Sequence, residues 1–311
     1  MEKNNNEYAL EVKDLSKRFS HLIAVDKVSF NVKTGEIFGF LGPNGAGKTT
    51  MVNMLCTLLM PTSGDALVNG YSIKNDPLNV RKSIGIVFQE PTLDNHLTVK
   101  ENLYLHAKLY GLTNAEFNKR FYQIVKLVDL EDKLDKSVGQ LSGGTKRRIE
   151  IARVLIHEPK ILFLDEPTVG LDAQTRNKIW DYLLKVRKEN NITIFLTTQY
   201  INEAEICDRI SVIDHGEIIA LDTPNNLKNI ANKDTIEIQT NNNLKSIEEI
   251  KNNFPNILIK QIGKNIVIKS EKGETFLPKI LDTINEEIIS INLTKPSLED
   301  IFLELTGRQI R

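Results

Sequence analysis

Cysteine is scarce in this chain, which has only Cys56 and Cys207 among 311 residues. Two thiols so far apart in sequence provide neither a disulfide framework nor the spacing of a zinc site. We therefore expect two reduced thiols in a cytosolic protein.

Long hydrophobic runs are also missing. No apolar stretch approaches the roughly 20 residues that a membrane-spanning helix needs. The first residues, 1–7, are polar and rich in Asn, which is not typical of a secretory signal. The sequence thus predicts a chain that acts at a membrane only through a partner.

An excess of charge of one sign is absent as well, with 40 Lys and Arg against 41 Asp and Glu. Nucleic-acid binders usually carry a basic excess, so no nucleic-acid partner is predicted. A length of 311 residues is about right for two domains.

The first two thirds of the chain alternate short apolar strands with amphipathic helices, which is typical of a mainly parallel α/β sheet. One half-exposed strand is predicted over 28–32, and buried strands over 37–41, 84–88, 161–164 and 192–197. Apolar residues at helical spacing predict core-facing helix stripes, namely Met51, Met54, Leu55 and Leu58, and Ile179, Leu183 and Val186.

The composition shifts near residue 225, after which Asn, Ile and Lys dominate. We predict a small α+β domain of βαββαβ type with a further helix at its end. Its elements are strand 234–240, helix 244–253, strands 256–261 and 264–270, helix 274–285, strand 287–293 and helix 297–306. Ser297 with Asp300 marks the start of the last helix, and Gly307 its end. The predicted domains are 1–228 and 229–311.

A glycine-rich segment, Gly42-Pro43-Asn44-Gly45-Ala46-Gly47-Lys48-Thr49, fits the phosphate-binding P-loop pattern. Strand 37–41 precedes it and a helix over 48–59 is predicted to follow, which makes a chance match improbable. Backbone N–H groups and the helix N-terminus favour phosphate oxygens there. Lys48 can reach the β- and γ-phosphates, and the Thr49 hydroxyl can bind Mg²⁺. Thr50 completes the predicted nucleotide-binding set.

Two acids follow the apolar run Ile161-Leu162-Phe163-Leu164. A strand that delivers a carboxylate at its end is how P-loop enzymes hold Mg²⁺, which assigns Asp165 to the metal. Glu166, one residue further, is placed to act as the general base on water.

Leu141-Ser142-Gly143-Gly144-Thr145 resembles the LSGGQ signature of ABC ATPases. Gln89 matches the Q-loop glutamine of that family, Asp172 its D-loop, and Phe19 its adenine-stacking aromatic. The resemblance implies a P-loop ABC ATPase domain, with a mainly parallel sheet, an antiparallel β subdomain and a helical subdomain over about 90–137. It also implies ATP and Mg²⁺ as cofactors, with Gln89 contacting the metal.

The resemblance further implies a head-to-tail pair of subunits, most simply a homodimer. In such a pair Ser142, Gly143 and Gly144 face the nucleotide held by the other subunit. The helical subdomain touches the membrane partner in this family. Most of its large apolar and aromatic residues are nonetheless expected in the core, a set comprising Leu103, Tyr104, Leu109, Tyr110, Phe117, Phe121 and Tyr122.

Two positions depart from the family pattern. Thr145 ends the signature where Gln is usual, away from the phosphate-facing groups. Gln199 stands at the position of the switch histidine. Its amide can bond a γ-phosphate or water but cannot shuttle a proton. The histidines elsewhere are expected to be surface or turn residues, and they are His21, His96, His106, His157 and His215.

The run Thr197-Thr198-Gln199-Tyr200 and the tail 296–303 resemble the daunorubicin-resistance type of ABC ATPase subunit. That type implies a small C-terminal domain, a separate export permease and a place on the cytoplasmic face of the cell membrane. We therefore predict an ATP-hydrolysing subunit that powers export of a drug, lipid or other small molecule.

Two other readings stay open at this point. ATP could close a dimer that hydrolyses little, because Gln199 replaces a histidine; the presence of Glu166 speaks against this. The chain could instead be a soluble ABC ATPase that is not tied to a transporter. It carries one cassette and no long heptad pattern, unlike the usual ribosome-acting and DNA-repair relatives.

Overall fold

The computed structural model describes residues 7–230 and 234–307. The chain divides into two compact units after Thr223. Helix Pro224–Ile230 groups with the second unit, so this division lies slightly before the boundary predicted from composition. No helix of the described ranges is both long and apolar enough to cross a membrane.

The strands of the first unit form two sheets. In chain order they are β1 (Tyr8–Phe19), β2 (Leu22–Lys33), β3 (Ile37–Leu41), β4 (Ser63–Val68), β5 (Tyr71–Ser72), β6 (Ile84–Val87), β7 (Ile161–Asp165), β8 (Thr193–Thr198), β9 (Arg209–Asp214) and β10 (Glu217–Asp222). One sheet has the order β2-β1-β4-β5 and is antiparallel.

The other sheet has the order β10-β9-β3-β8-β7-β6. Its strands run parallel except for β10 at one edge. The predicted combination of a mainly parallel sheet with an antiparallel sheet is confirmed. The parallel strands β3, β7 and β8 are buried throughout, which explains why they read as continuous apolar runs.

The helices of the first unit lie between these strands. They are α1 (Lys48–Leu55), α2 (Pro77–Ser83), α3 (Val99–Leu109), α4 (Asn114–Leu127), α5 (Gly143–Leu155), α6 (Ala173–Asn190) and α7 (Ile201–Ala204). Reciprocal capping boxes begin α3, between Thr98 and Glu101, and α4, between Thr113 and Glu116. These two helices lie within the predicted helical subdomain.

Phenylalanine side chains dominate the core between the two sheets. Phe38 and Phe195 stack with ring centroids 5.7 Å apart, and Phe30 stacks on Phe38 at 5.3 Å. Phe40 and Phe163 also contact Phe195. The antiparallel sheet thereby packs on one face of the parallel sheet.

The predicted helix over 48–59 ends earlier, at Leu55. Thr57 adopts a left-handed φ of 61°, which stops the helical hydrogen-bond pattern. Leu58 therefore leaves the core face and is 55% exposed, so its predicted core position is wrong. Met51, Met54 and Leu55 are buried as predicted.

The helical subdomain buries fewer of its large apolar and aromatic residues than predicted. Leu103, Phe117 and Phe121 are buried. The remaining members of the predicted set are exposed, and these are Tyr104, Leu109, Tyr110 and Tyr122. Two amphipathic helices bury only one stripe each, and these four side chains lie away from that stripe.

His106 and His157 were predicted to be surface or turn residues. They instead form a half-buried pair. His157 Nε2 donates to the Ile84 carbonyl at 2.9 Å, which leaves its Nδ1 to accept from His106 Nε2 at 3.3 Å. Tyr110 stacks on the His157 ring at 3.8 Å. Burial lowers the pKa of His106 to about 3 and that of His157 to about 4, so both rings are neutral.

The second unit has the predicted order of elements. After α8 (Pro224–Ile230) come β11 (Asp234–Thr240), α9 (Asn243–Asn253), β12 (Leu258–Ile262), β13 (Asn265–Ser270), α10 (Gly273–Leu281), β14 (Ile288–Thr294) and α11 (Leu298–Thr306). The strands form one antiparallel sheet in the order β12-β13-β11-β14, with an isoleucine-rich core. Ser297 and Asp300 make the predicted start of α11, and Gly307 ends it with a φ of 67°.

Replacing Phe195 by Ala should destabilise the first unit by about 3–5 kcal/mol, because it removes a fully buried ring from a close-packed aromatic cluster. Urea unfolding monitored by the fluorescence of Trp180 reports on this unit, because Trp180 is the single tryptophan of the chain and is buried. Tyr122→Ala removes a ring that is 69% exposed and should change stability by less than about 1 kcal/mol. Equal losses in both variants would contradict the assigned core.

Stability of the first unit should fall as the pH drops below about 6.5. In the unfolded chain the histidines take up protons at that pH, whereas the folded pair resists protonation until pH 3–4. The urea midpoint should therefore be lower at pH 5 than at pH 7.5. In His157→Asn the difference between the urea midpoints at the two pH values should be smaller. An unchanged difference would show that the buried histidines do not cause the pH dependence.

Candidate nucleotide site

Register between parallel strands brings three functional segments to one sheet edge. Leu41 of β3 pairs with Thr198 of β8, and Asp165 of β7 pairs with Thr197. The P-loop, Glu166 and Gln199 each follow directly after a member of these pairs. Their convergence is a consequence of strand pairing, since parallel strands end at the same edge.

Glycine is required where the P-loop turns into α1. Gly47 caps the helix with a φ of 108°, and a Cβ there would lie 2.3 Å from the Ala24 carbonyl oxygen. No L side chain fits both the conformation and the space. The loop backbone can therefore pass close to β2 and enter α1.

Lys48 lies over the loop and is only 5% exposed. Its Nζ donates to the carbonyl oxygens of Gly42 at 2.8 Å and Pro43 at 3.1 Å. It also pairs with Glu166 Oε1 at 3.2 Å. A buried ammonium is stable only with such partners, and the carboxylate supplies the compensating charge.

Oxygen donors gather beside this lysine. Thr49 Oγ1 lies 3.4 Å from Asp165 Oδ1, and the buried Thr197 hydroxyl donates to the same oxygen at 2.5 Å. A hydroxyl and a carboxylate are the ligands that Mg²⁺ prefers. The donor set of Thr49 and Asp165 therefore fits the predicted metal.

Glu166 holds a left-handed backbone with a φ of 46°. Its N–H donates to the carbonyl of Thr197 at 3.2 Å and to the Thr197 hydroxyl at 3.1 Å. Non-glycine residues occupy this region only when their surroundings hold them there. The turn directs the carboxylate back toward Lys48.

A cleft of about 590 Å³ contains most of the predicted site. Phe19, Gln89, Glu166 and Gln199 line it, together with the P-loop residues Asn44, Gly45, Gly47, Lys48, Thr49 and Thr50. Ala46 is buried beneath the loop. Gln89 follows β6 and is exposed, whereas Gln199 is partly buried. Residues far apart in sequence thus share one concave surface.

Four further residues of this cleft escaped the sequence analysis, namely Leu22, Ile23, Ala24 and His215. Leu22 pairs with Phe19 across the β1–β2 turn and is 66% exposed. One sign of their role was present in the sequence, because Leu22 and Ile23 are apolar and directly follow a turn at Ser20 and His21. His215 is a turn residue as predicted, but its turn borders the cleft.

The signature residues lie outside the cleft. Ser142 and Gly143 are exposed, and Ser142 caps α5 by accepting from the Thr145 N–H at 3.4 Å. Asp172 caps α6 and accepts from Thr175 N–H and Oγ1, at 2.9 and 2.6 Å, which lowers its pKa. A Cβ on Gly144 would lie 2.3 Å from Thr175 Cγ2. The signature and the D-loop residue are therefore neighbours on a second, exposed surface.

Residues 25–169 match the ABC transporter family. Residues 223–306 match the C-terminal domain of DrrA1-3-like ATP-binding proteins. A doxorubicin resistance ATP-binding protein, DrrA of Mycobacterium tuberculosis, is 38% identical over 97% of this chain and 95% of the relative. The chain belongs to the ABC transporter ATP-binding protein family.

The linearmycin resistance ATP-binding protein LnrL of Bacillus subtilis is 36% identical over 97% of this chain and 99% of its own length. A dimeric structure of the ATP-binding cassette MJ0796 with ADP and Pi aligns with a TM-score of 0.63 and 31% identity, covering 69% of this chain and 98% of that one. Membership confirms the predicted fold class and the prediction of an ATP-binding subunit with the ATPase activity of its family.

Phe19→Ala should raise the apparent KM for ATP by about fivefold or more with little change in kcat. Stacking of a base on an aromatic ring contributes about 1–3 kcal/mol to binding and nothing to the chemical step. Tyr71→Ala, in the same antiparallel sheet but outside the cleft, is the matched control. The role of Phe19 is excluded if both variants keep the wild-type KM in steady-state assays.

Proposed function

We propose that this protein binds ATP with Mg²⁺ in the cleft, hydrolyses it, and thereby drives export through a separate membrane permease. The observation that carries the proposal is the convergence of Lys48, Thr49, Asp165 and Glu166 at one sheet edge. A cation for phosphate, two oxygen ligands for a metal and a carboxylate base are the parts that phosphoryl transfer to water requires.

Lys48 and the P-loop N–H groups would bind the β- and γ-phosphates. Phosphate oxygens compete for the ammonium, so the contact between Lys48 and Glu166 weakens when they bind. Glu166 then accepts a proton from the attacking water, a P–O bond to that water forms, and the bond to the leaving ADP breaks. Gln199 orients water or the γ-phosphate through its amide but carries no proton.

Thr49 and Asp165, with Gln89 on the adjoining segment, would hold Mg²⁺. When bound, the ion supplies positive charge that neutralises phosphate oxygens. Thr197 keeps the Asp165 carboxylate oriented, because its hydroxyl donates to Oδ1 at 2.5 Å. Such hydrogen bonds to a ligating carboxylate fix its direction.

The exposed signature supports a dimer as the working form. Ser142 and Gly143 are exposed at the start of the 13-residue helix α5, yet they and Gly144 lie outside the cleft of their own chain. A second copy, turned head to tail, would bring them to the nucleotide in the opposite cleft. The cassette MJ0796 with ADP and Pi is described as dimeric.

Relatives named for doxorubicin and linearmycin resistance support export of a small molecule. The two compounds are different, so the transported compound is assigned only as a class. The permease would be a separate chain, with this subunit bound on the cytoplasmic face of the membrane.

Mg-ATP hydrolysis by the purified protein should rise more than linearly with protein concentration, because each cleft needs a second copy. Glu166→Gln should retain ATP binding, lose hydrolysis by at least about 100-fold, and accumulate as an ATP-bound dimer in size-exclusion chromatography. Glu189→Gln, at the exposed end of α6, is the isosteric control and should behave as wild type.

Full activity of Glu166→Gln would refute the general-base role. If the wild type binds ATP and dimerises without hydrolysis, the assay is repeated with the membrane partner. Hydrolysis that is absent there too would make the switched binding module the correct description.

A further inference from the structure

A buried arginine, Arg147, occupies the second turn of the signature helix α5. Its side chain is 6% exposed and reaches away from the signature toward the interior. Burying a guanidinium is costly unless each donor direction finds an acceptor. The backbone carbonyls that accept from it belong to two of the segments that border the nucleotide cleft.

The guanidinium contacts three backbone carbonyls and one carboxylate. Nε donates to Pro167 O at 2.5 Å, and Nη2 donates to Glu166 O at 3.2 Å. Nη1 donates to Phe88 O at 2.5 Å and pairs with Glu150 Oε2 at 3.0 Å. Phe88 directly precedes Gln89, the predicted metal-contacting residue of the cleft.

These contacts complete the support of the left-handed turn at Glu166. Thr197 binds the N–H of this residue, and Arg147 binds its carbonyl and that of Pro167. With both peptide groups held, the backbone cannot relax from its positive φ, and the carboxylate stays aimed at Lys48.

Glu150 holds the arginine itself. It lies one turn further along α5 and is fully buried. One carboxylate oxygen pairs with Arg147, while the other accepts from the Thr92 N–H at 2.8 Å. Every nitrogen and oxygen of the charge pair therefore has a hydrogen-bond partner, which is the condition for a buried pair to be stable.

We propose that Arg147 is a positioning residue that links the signature helix to the catalytic turn at Glu166 and to the Gln89 segment. The proposal rests on the proposed function, in which Ser142 at the start of α5 faces the nucleotide of the other subunit. When that nucleotide shifts α5, Arg147 moves with the helix. The carbonyls of Glu166 and Phe88, beside the cleft of its own subunit, then move as well. The two clefts of a dimer are coupled through one side chain in each subunit.

Lysine is the informative substitution. It keeps the charge that neutralises Glu150, but a single ammonium cannot reach carbonyls on two separate segments as a planar guanidinium does. Arg120→Lys is the matched control, since Arg120 also binds a carbonyl, Ile156 O at 3.1 Å, and a carboxylate, Glu158 at 3.0 Å. Neither partner of Arg120 lines the nucleotide cleft.

In steady-state assays, Arg147→Lys should lower kcat by about tenfold or more, while binding of a fluorescent ATP analogue changes by less than about twofold. Arg120→Lys should keep both values. In a Glu166→Gln background, Arg147→Lys should add little further loss, because it acts through the residue already removed. A kcat within about twofold of wild type, or equal loss in the Arg120 variant, would overturn the proposal.

Hydrogen–deuterium exchange tests the link without turnover, so failure of the proposed function does not conceal the result. Amides in segments 86–92 and 164–170 should exchange faster in Arg147→Lys than in Arg120→Lys, with both variants folded by Trp180 fluorescence. Unchanged exchange in either segment would overturn the link, whatever the hydrolysis rate.

Discussion

Parallel pairing of β8 with β3 on one side and β7 on the other is the constraint on which the site depends. It sets Leu41 level with Thr198 and Asp165 level with Thr197, so three chain segments leave the core at the same edge. A shift of one residue in either register would turn side chains to the opposite face and separate Lys48 from Glu166. The stacked phenylalanines hold this register because their rings interdigitate across β3 and β8.

Buried charge is the second element of the design. Lys48 with Glu166 and Arg147 with Glu150 are taken out of water, and backbone carbonyls accept hydrogen bonds from the remaining donors of each cation. Glu203 is another buried carboxylate, which accepts from the Thr168 and Thr198 hydroxyls. It thereby ties the loop after Glu166 to the end of β8, one residue before Gln199. Glu166 is held through its own peptide N–H and carbonyl, which leaves its carboxylate to face Lys48.

Sequence patterns predicted the elements better than their limits or their exposed faces. Helix α1 was expected to reach residue 59, but Thr57 takes a left-handed conformation that a helical apolar pattern does not reveal. Leu58, Tyr104 and Tyr122 had helical spacing yet lie outside the buried stripes, whereas Phe117 and Phe121 are buried. Apolar periodicity identifies one face of a helix. Which side chains of that face are buried depends on the elements that pack against it. His106 and His157 illustrate the opposite case, since polar residues expected at the surface are brought together by the approach of α3 to the end of α5.

The sequence by itself determined the phosphate loop, the acidic strand end, the signature and the βαββαβ order of the second unit. These features rest on local geometry, because glycines, caps and strand alternation act over a few residues. Tertiary structure alone decided that Leu22, Ile23 and His215 border the cleft, that Glu166 holds a left-handed turn against Lys48, and that Arg147 reaches the carbonyls of Glu166 and Phe88. Those relations join residues distant in the chain, and only the pairing of strands and the packing of α5 against them bring such residues within hydrogen-bond distance.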